Sequence, residues 1–186
     1  MQFDTANKVV RLCTEGMDME GKGHPDAARR LFLQAWNEAA TDFEKFTAAH
    51  YVARHQSTVA AKLEWDQKAL GFALQFGDEG RAFLPSLYLN IAKCHEDLQQ
   101  MGEAIQHYEL AQSFASYLGD EGYGNMIRSG IQNGLNRARK LARFDDDYSC
   151  NLQHIYSNET SRKPPSQTNT RNRKWRSCPR SAQKDD

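Results

Sequence analysis

No stretch of this 186-residue chain approaches the roughly 18 consecutive apolar residues that a membrane helix requires, so no membrane span is expected. Residues 1–10 (MQFDTANKVV) carry neither a basic opening nor an apolar centre. No secretory leader is read there, and the cytoplasm is the expected compartment. Cysteine is sparse. Cys13, Cys94, Cys150 and Cys178 stand apart, with no C-x-x-C and no histidine joined to a pair of them at zinc-ligand spacing. That spacing encodes neither a disulfide framework nor a zinc site, and the four are read as reduced thiols with no metal and no cofactor implied. Charge of one sign is not in excess either, with 24 basic and 24 acidic side chains. Alternating apolar and polar residues of the kind that build strands are missing as well.

The neutral total hides an asymmetry. Residues 145–186 hold eight basic and six acidic side chains, and no acid lies between Ser161 and Lys184. Trp175 is the only aromatic residue after Tyr156, and Pro, Ser, Asn, Thr and Gln fill most of the rest. Such a composition buries too little apolar surface to offset its ordering entropy. The expected organisation is therefore one folded domain over 1–144 and a disordered basic tail over 145–186.

What the front part does have is self-similarity. FALQFGDEG at 72–80 recurs as FASYLGDEG at 114–122, an offset of 42 residues, and Ala69 recurs as Ala111 at the same offset. Repetition at this period signals stacked supersecondary units. The apolar residues follow helical spacing: Ala28, Leu31, Phe32, Ala35, Trp36 and Ala39 in one segment, Ile105, Tyr108, Ala111, Ala115 and Leu118 in another. About seven helices are predicted. Asp4 or Thr5 would cap the first, Pro25 suits the first turn of the second, and Thr41 with Glu44 forms a capping box for the third. Ser57 or Thr58 would cap the fourth, which Gly77 ends; Pro85 lies near the start of the fifth. Gly102 would separate the fifth from the sixth, Gly119 would end the sixth, and a seventh would run from Asn125 to about Arg143. Links this short make antiparallel hairpins.

Two of these hairpins carry Leu12-x3-Gly16-x2-Met19-x8-Ala28-x3-Phe32-x2-Ala35 and Tyr88-x2-Ile91-Ala92-x2-His95-x8-Ala104-x3-Tyr108-x2-Ala111. Each resembles the tetratricopeptide repeat, in which small residues let two helices approach and an aromatic residue fills the gap toward the next unit. The middle hairpin departs from the pattern. Keeping Ala69 in register puts Lys62 and Asp66 where Ala and an aromatic residue belong, whereas a shift of one residue gives Ala61-x3-Trp65. The seventh helix, with Gly134 at the offset from Ala92, resembles a capping helix. The resemblance covers about 140 residues. It implies an all-α, right-handed α-solenoid of about three hairpins plus that cap. The runs LFLQAWNEA, DFEKFTAAHYVARHQ, PSLYLNIAKC and GDEGYGNMIRSGI are also similar to short bacterial repeat proteins, some of which bear the name rRNA adenine methyltransferase. A methyltransferase of the usual doubly wound kind needs a strand feeding a Gly-rich turn and an Asn/Asp-Pro-Pro-aromatic motif; the one Pro-Pro here is Pro164-Pro165, in the tail.

The resemblance implies that the first helix of each hairpin lines a groove for a protein or peptide partner. Carried over by position, the lining residues are Cys13, Thr14 and Met17, then Phe46, His50 and Arg54, then Leu89, Asn90, Lys93 and Asp97. Asn90 is placed to hold a ligand's backbone amide, and Lys93 with Arg54 to hold a carboxylate terminus. A solvated polar face is the alternative at the same positions. His50 and His55 lie five residues apart, about 500° of helical rotation, so their rings diverge and cannot share a metal ion. His95 and His107 sit on successive helices and can meet. Phe32, Trp36, Phe43, Phe46, Trp65, Phe72, Phe76, Tyr108 and Phe114 read as core, while Phe83 and Tyr123, on the long links, are available to a partner. In the tail, Arg171, Arg173, Lys174, Trp175 and Arg176 combine cations with one stackable ring, a composition that neutralises phosphate. The expected function is a non-catalytic adapter. The alternative is an RNA-associated protein working through its tail, and methyltransfer ranks last.

Overall fold

The computed structural model describes residues 4–160, with side chains through 143. All regular elements among the described residues are helical and none is a strand. Contacts divide the chain into Met1–Asp147 and Tyr148–Asp186; in the second unit the described residues, 148–160, are helical.

Local chemistry sets the element boundaries. Helix α1 (Lys8–Gly21) is capped by Asn7, whose Oδ1 accepts from Val9 N and Val10 N at 2.9 and 3.1 Å. Asp4 does not cap it: its Oδ1 accepts from Ala6 N at 2.9 Å, a turn that ends before the helix begins. Helix α2 (Pro25–Glu38) opens on Pro25, where the missing N–H costs nothing. Helix α3 (Asp42–Arg54) carries the expected capping box between Thr41 and Glu44. Glu44 does more than the box requires. Its Oε2 accepts from Thr41 N and Ala40 N, both at 2.9 Å, and its Oε1 accepts from Asn7 Nδ2 at 2.7 Å. The backbone N–H of Thr41, the Asn7 amide and Ala40 N–H together hold the Glu44 carboxyl down to about 2.

Helix α4 (Val59–Ala73) is capped by the Thr58 hydroxyl, which accepts from Ala61 N at 3.1 Å. It ends sooner than expected, at Ala73, and passes into a 3₁₀ segment, Leu74–Gly80, where Gly77 has φ +56°. Helix α5 (Leu84–Asp97) holds Pro85 in its first turn. Gly102 lies inside helix α6 (Met101–Ser113), and the left-handed residue of the preceding link is Gln99, at φ +60°. A short 3₁₀ turn, Ala115–Tyr117, rather than Gly119, terminates that helix. Helix α7 (Gly122–Thr160) begins ahead of Asn125 and continues beyond Arg143.

Helices pair as α1 with α2, α3 with α4 and α5 with α6, and α2 packs on α3, α4 on α5 and α1 on α3. Helix α7 joins through Leu135 and Ala138, which share a core with Ala92, Ala104 and Tyr108. Small residues permit the close approaches: a Cβ at Gly16 would meet Phe32 Cε1 at 2.3 Å, and one at Gly134 would meet Tyr108 Cζ at 2.2 Å. Between these two wedges the middle hairpin has its own. Asp66 and Ala69 are fully buried, as are Phe32 with Ala35 and Tyr108 with Ala111, so the register that aligns Asp66 with the two aromatic residues is the one adopted. Trp65 sits beside that position, its ring edge on Trp36 at 4.9 Å.

Candidate functional site

A carboxylate in an aromatic residue's place must find partners, because burying a lone charge is costly. Lys62 Nζ lies 2.5 Å from Asp66 Oδ2, Asn90 Nδ2 donates to Asp66 Oδ1 at 3.4 Å, and Cys94 Sγ lies 3.8 Å from Oδ2 and 3.6 Å from the Lys62 ammonium. Burial drives the Asp66 carboxyl up, opposed by Lys62, Asn90 and Cys94. This cluster occupies Asn90, the side chain expected to hold a ligand's amide. Lys93 and Asp97 are occupied as well: they pair with each other on the exposed face of α5, at 2.5 Å. Arg54 pairs through Nη2 with Glu20 at 3.0 Å. Asn90, held by Asp66, and the Lys93–Asp97 pair are not among the residues of the pocket that Met17, Phe46, His50 and Arg54 line.

Those remaining residues do converge. Met17 of α1 and Phe46, His50 and Arg54 of α3 line one pocket of about 370 Å³, together with Phe83 from the link before α5 and Tyr123 from the first turn of α7. Residues 46, 50 and 54 are spaced four apart, so they form one stripe along α3. Thr47 and Tyr51, one position on, supply the adjacent stripe, and Ser86 and Leu87 of α5 complete the wall. Thr47, Tyr51, Ser86 and Leu87 are absent from the sequence-based set. Tyr51 and Thr47 are one helical step from residues already selected, and that spacing was the available signal. Cys13 and Thr14 line a second pocket of about 170 Å³ that shares Met17, Thr47 and Tyr51 with the first. Cys13 is buried, and burial pushes its thiol up to about 12, so it packs in the wall there as the protonated thiol. Leu89 points elsewhere: its Cδ2 lies 3.2 Å from where a Cβ on Gly130 would be.

His50 is the unusual member of the pocket. At the 42-residue offset it takes the position of Ala92, where small residues stand in the flanking units. Its Nδ1 is buried and has no hydrogen-bond partner. Burial, with Arg54 and Lys62 adding positive charge, pushes the imidazole down to about 4, so the ring is neutral at pH 7. Its ring stands edge-on to Tyr51 at 5.4 Å, and Arg54 lies 5.9 Å from the centre of the same Tyr51 ring. Phe46 and Phe83 meet at 4.8 Å. The pocket is therefore walled by rings, contains a neutral imidazole and has a guanidinium at its margin. Among the described residues no carboxylate lines it.

The other histidines are engaged separately. His55 Nε2 lies 2.7 Å from Glu20 Oε1, and the His55 ring packs 5.3 Å from Phe32. His95 and His107 do meet, stacked at 5.0 Å, but their Nδ1 atoms are taken by Gln100 Oε1 and the Glu103 carbonyl. Among the described residues no three His, Cys, Asp or Glu side chains gather as a metal site would require, and no helix is long and apolar enough to cross a membrane. The tail residues Arg171, Arg173, Lys174, Trp175 and Arg176 lie outside the described residues. Comparison of the chain with protein-family models, with curated proteins and with solved structures finds no match.

Proposed function

We propose that this protein is a non-catalytic adapter, a short stack of tetratricopeptide-like hairpins that docks a segment of a partner protein in the pocket between α1, α3, α5 and the start of α7. One observation carries the reading. Met17, Phe46, His50 and Arg54, chosen from sequence as groove residues, line a single pocket, and Phe83 and Tyr123, chosen as accessible aromatic residues, close it. Apolar rims support docking: Tyr123 is 58% and Met17 37% exposed, which is costly in water and useful at an interface. A pocket of this size holds one or two side chains, so affinity for an isolated peptide is modest and depends on that anchor.

The test compares the full chain with its Tyr123→Asp and Met17→Asp variants as bait for peptides selected from a random library. Both positions are exposed enough for the variants to fold, which thermal melts verify. Peptides retained by the parent chain and lost by both variants support docking at this pocket; retention by both variants contradicts it. The RNA-associated alternative gives a different result: binding to single-stranded RNA that falls steeply with salt and disappears when residues 161–186 are removed.

A further inference from the structure

The pocket's walls specify what enters it, given that it is a docking site. We propose that the partner is recognised through an aromatic side chain adjoining an acidic one, with the ring inserted among Phe46, Tyr51, Phe83 and Tyr123 and the carboxylate placed on Arg54. This rests on the docking role proposed above and names the chemistry of the docked segment.

Three observations point to that pair. The ring pairs already present are tilted or edge-on, Phe46 with Phe83 at 41° and His50 with Tyr51 at 72°. Such walls offer both faces and edges, which a guest ring meets in the edge-to-face or offset geometries that aromatic pairs prefer. Charge complementarity supplies the second. Among the described residues lining the pocket, Arg54 is the one cation and none is acidic, and the Arg54 side chain is 46% exposed. Glu20 engages Nη2, and a guanidinium has further N–H donors for a second carboxylate. An adjoining basic residue would instead meet Arg54 with like charge. The third is His50. Its ring lines the pocket, and its Nδ1 is buried without a partner. A neutral imidazole there can pair with an indole N–H or a phenol O–H and adds no charge to oppose Arg54.

The experiment titrates the full-length chain with four capped peptides that differ only at two central positions: Trp-Asp, Trp-Lys, Leu-Asp and Ala-Asp. Binding is followed through the backbone amide shifts of the protein. Trp-Asp is expected to bind about tenfold more tightly than Trp-Lys or Ala-Asp, with Leu-Asp between. Arg54→Gln keeps the stem and removes the fork; it should abolish the Asp-over-Lys preference while leaving the Trp-over-Ala preference. Tyr123→Ala should weaken both Trp peptides. Equal affinity for Trp-Asp and Trp-Lys, equal affinity for Trp-Asp and Ala-Asp, or a preference for Asp that survives Arg54→Gln would each overturn the proposal. Its failure is separable from failure of docking itself. Library peptides that need Tyr123 but lack the aromatic–acidic pair would overturn the recognition chemistry and leave the docking role standing; a library that yields no Tyr123-dependent peptide removes the docking role too.

Discussion

At the scale of single residues, Asp66 and His50 are the departures that distinguish the middle hairpin. Asp66 stands where Phe32 and Tyr108 stand in its neighbours, and it is tolerated because Lys62, Asn90 and Cys94 surround it. A pair of this kind is costly to break and cheap to replace as a whole. Lys62→Met is therefore expected to lower stability by about 3 kcal/mol, because it leaves the Asp66 carboxylate buried without its counter-ion. The double variant Lys62→Met/Asp66→Leu is expected within about 1 kcal/mol of the parent, or above it. Urea denaturation of the full cycle checks this, and additive losses would contradict it. For His50 the sign follows from its depressed value: the unfolded chain binds a proton near pH 6.5 that the folded chain refuses until about 4. Its contribution is present above pH 6.5 and is lost as pH falls toward 4. Because Glu44 and other carboxyls also titrate on the acid side, the informative quantity is the difference between parent and His50→Leu. That difference should change by on the order of 3 kcal/mol between pH 7 and pH 4, the parent losing more; parallel curves would contradict the burial of a neutral imidazole.

At the scale of elements, caps and close approaches were the most legible features. Thr41, Glu44 and Pro25 are identified from sequence because their chemistry is local, and the structure uses them as expected; of Ser57 and Thr58, both offered for the fourth helix, Thr58 is the cap. Asn7 was not identified, because Asp4 and Thr5 are equally good caps in isolation and the choice depends on Glu44, distant in the chain, accepting from the Asn7 amide. Thr41→Ala should cost about 1 kcal/mol, and Glu44→Ala more, since it releases Asn7 and Ala40 as well. Glycines separate by what faces them. Gly71 is exposed within α4 with nothing near its missing Cβ, so Gly71→Ala is expected to stabilise by about 0.5–1 kcal/mol. Gly16→Ala drives a methyl into the buried Phe32 ring and should destabilise by about 1–3 kcal/mol. Thermal melts of the two variants shift in opposite directions if the α1–α2 packing is as described.

At the scale of the molecule, the all-helical class and the pairing of helices were readable because a 42-residue repeat carries its own internal comparison. The pocket was readable only in part. Positions 46, 50 and 54 follow from the repeat resemblance, carried over by position, but that Tyr123 and Met17, from opposite ends of the domain sequence, meet at one site depends on how successive hairpins turn, which no local pattern states. The same limit explains Asn90. Its position along α5 was clear, whereas its capture by Asp66 depended on the register of the middle hairpin, for which the sequence offered two alternatives. The most direct measurement is amide-shift mapping of the full chain with a library-selected peptide. Docking at the pocket predicts shifts concentrated at Phe46, His50, Arg54, Ser86 and Tyr123 and silence along the exposed face of α6 around Leu110. Shifts concentrated on α6, or confined to residues 161–186, would contradict it.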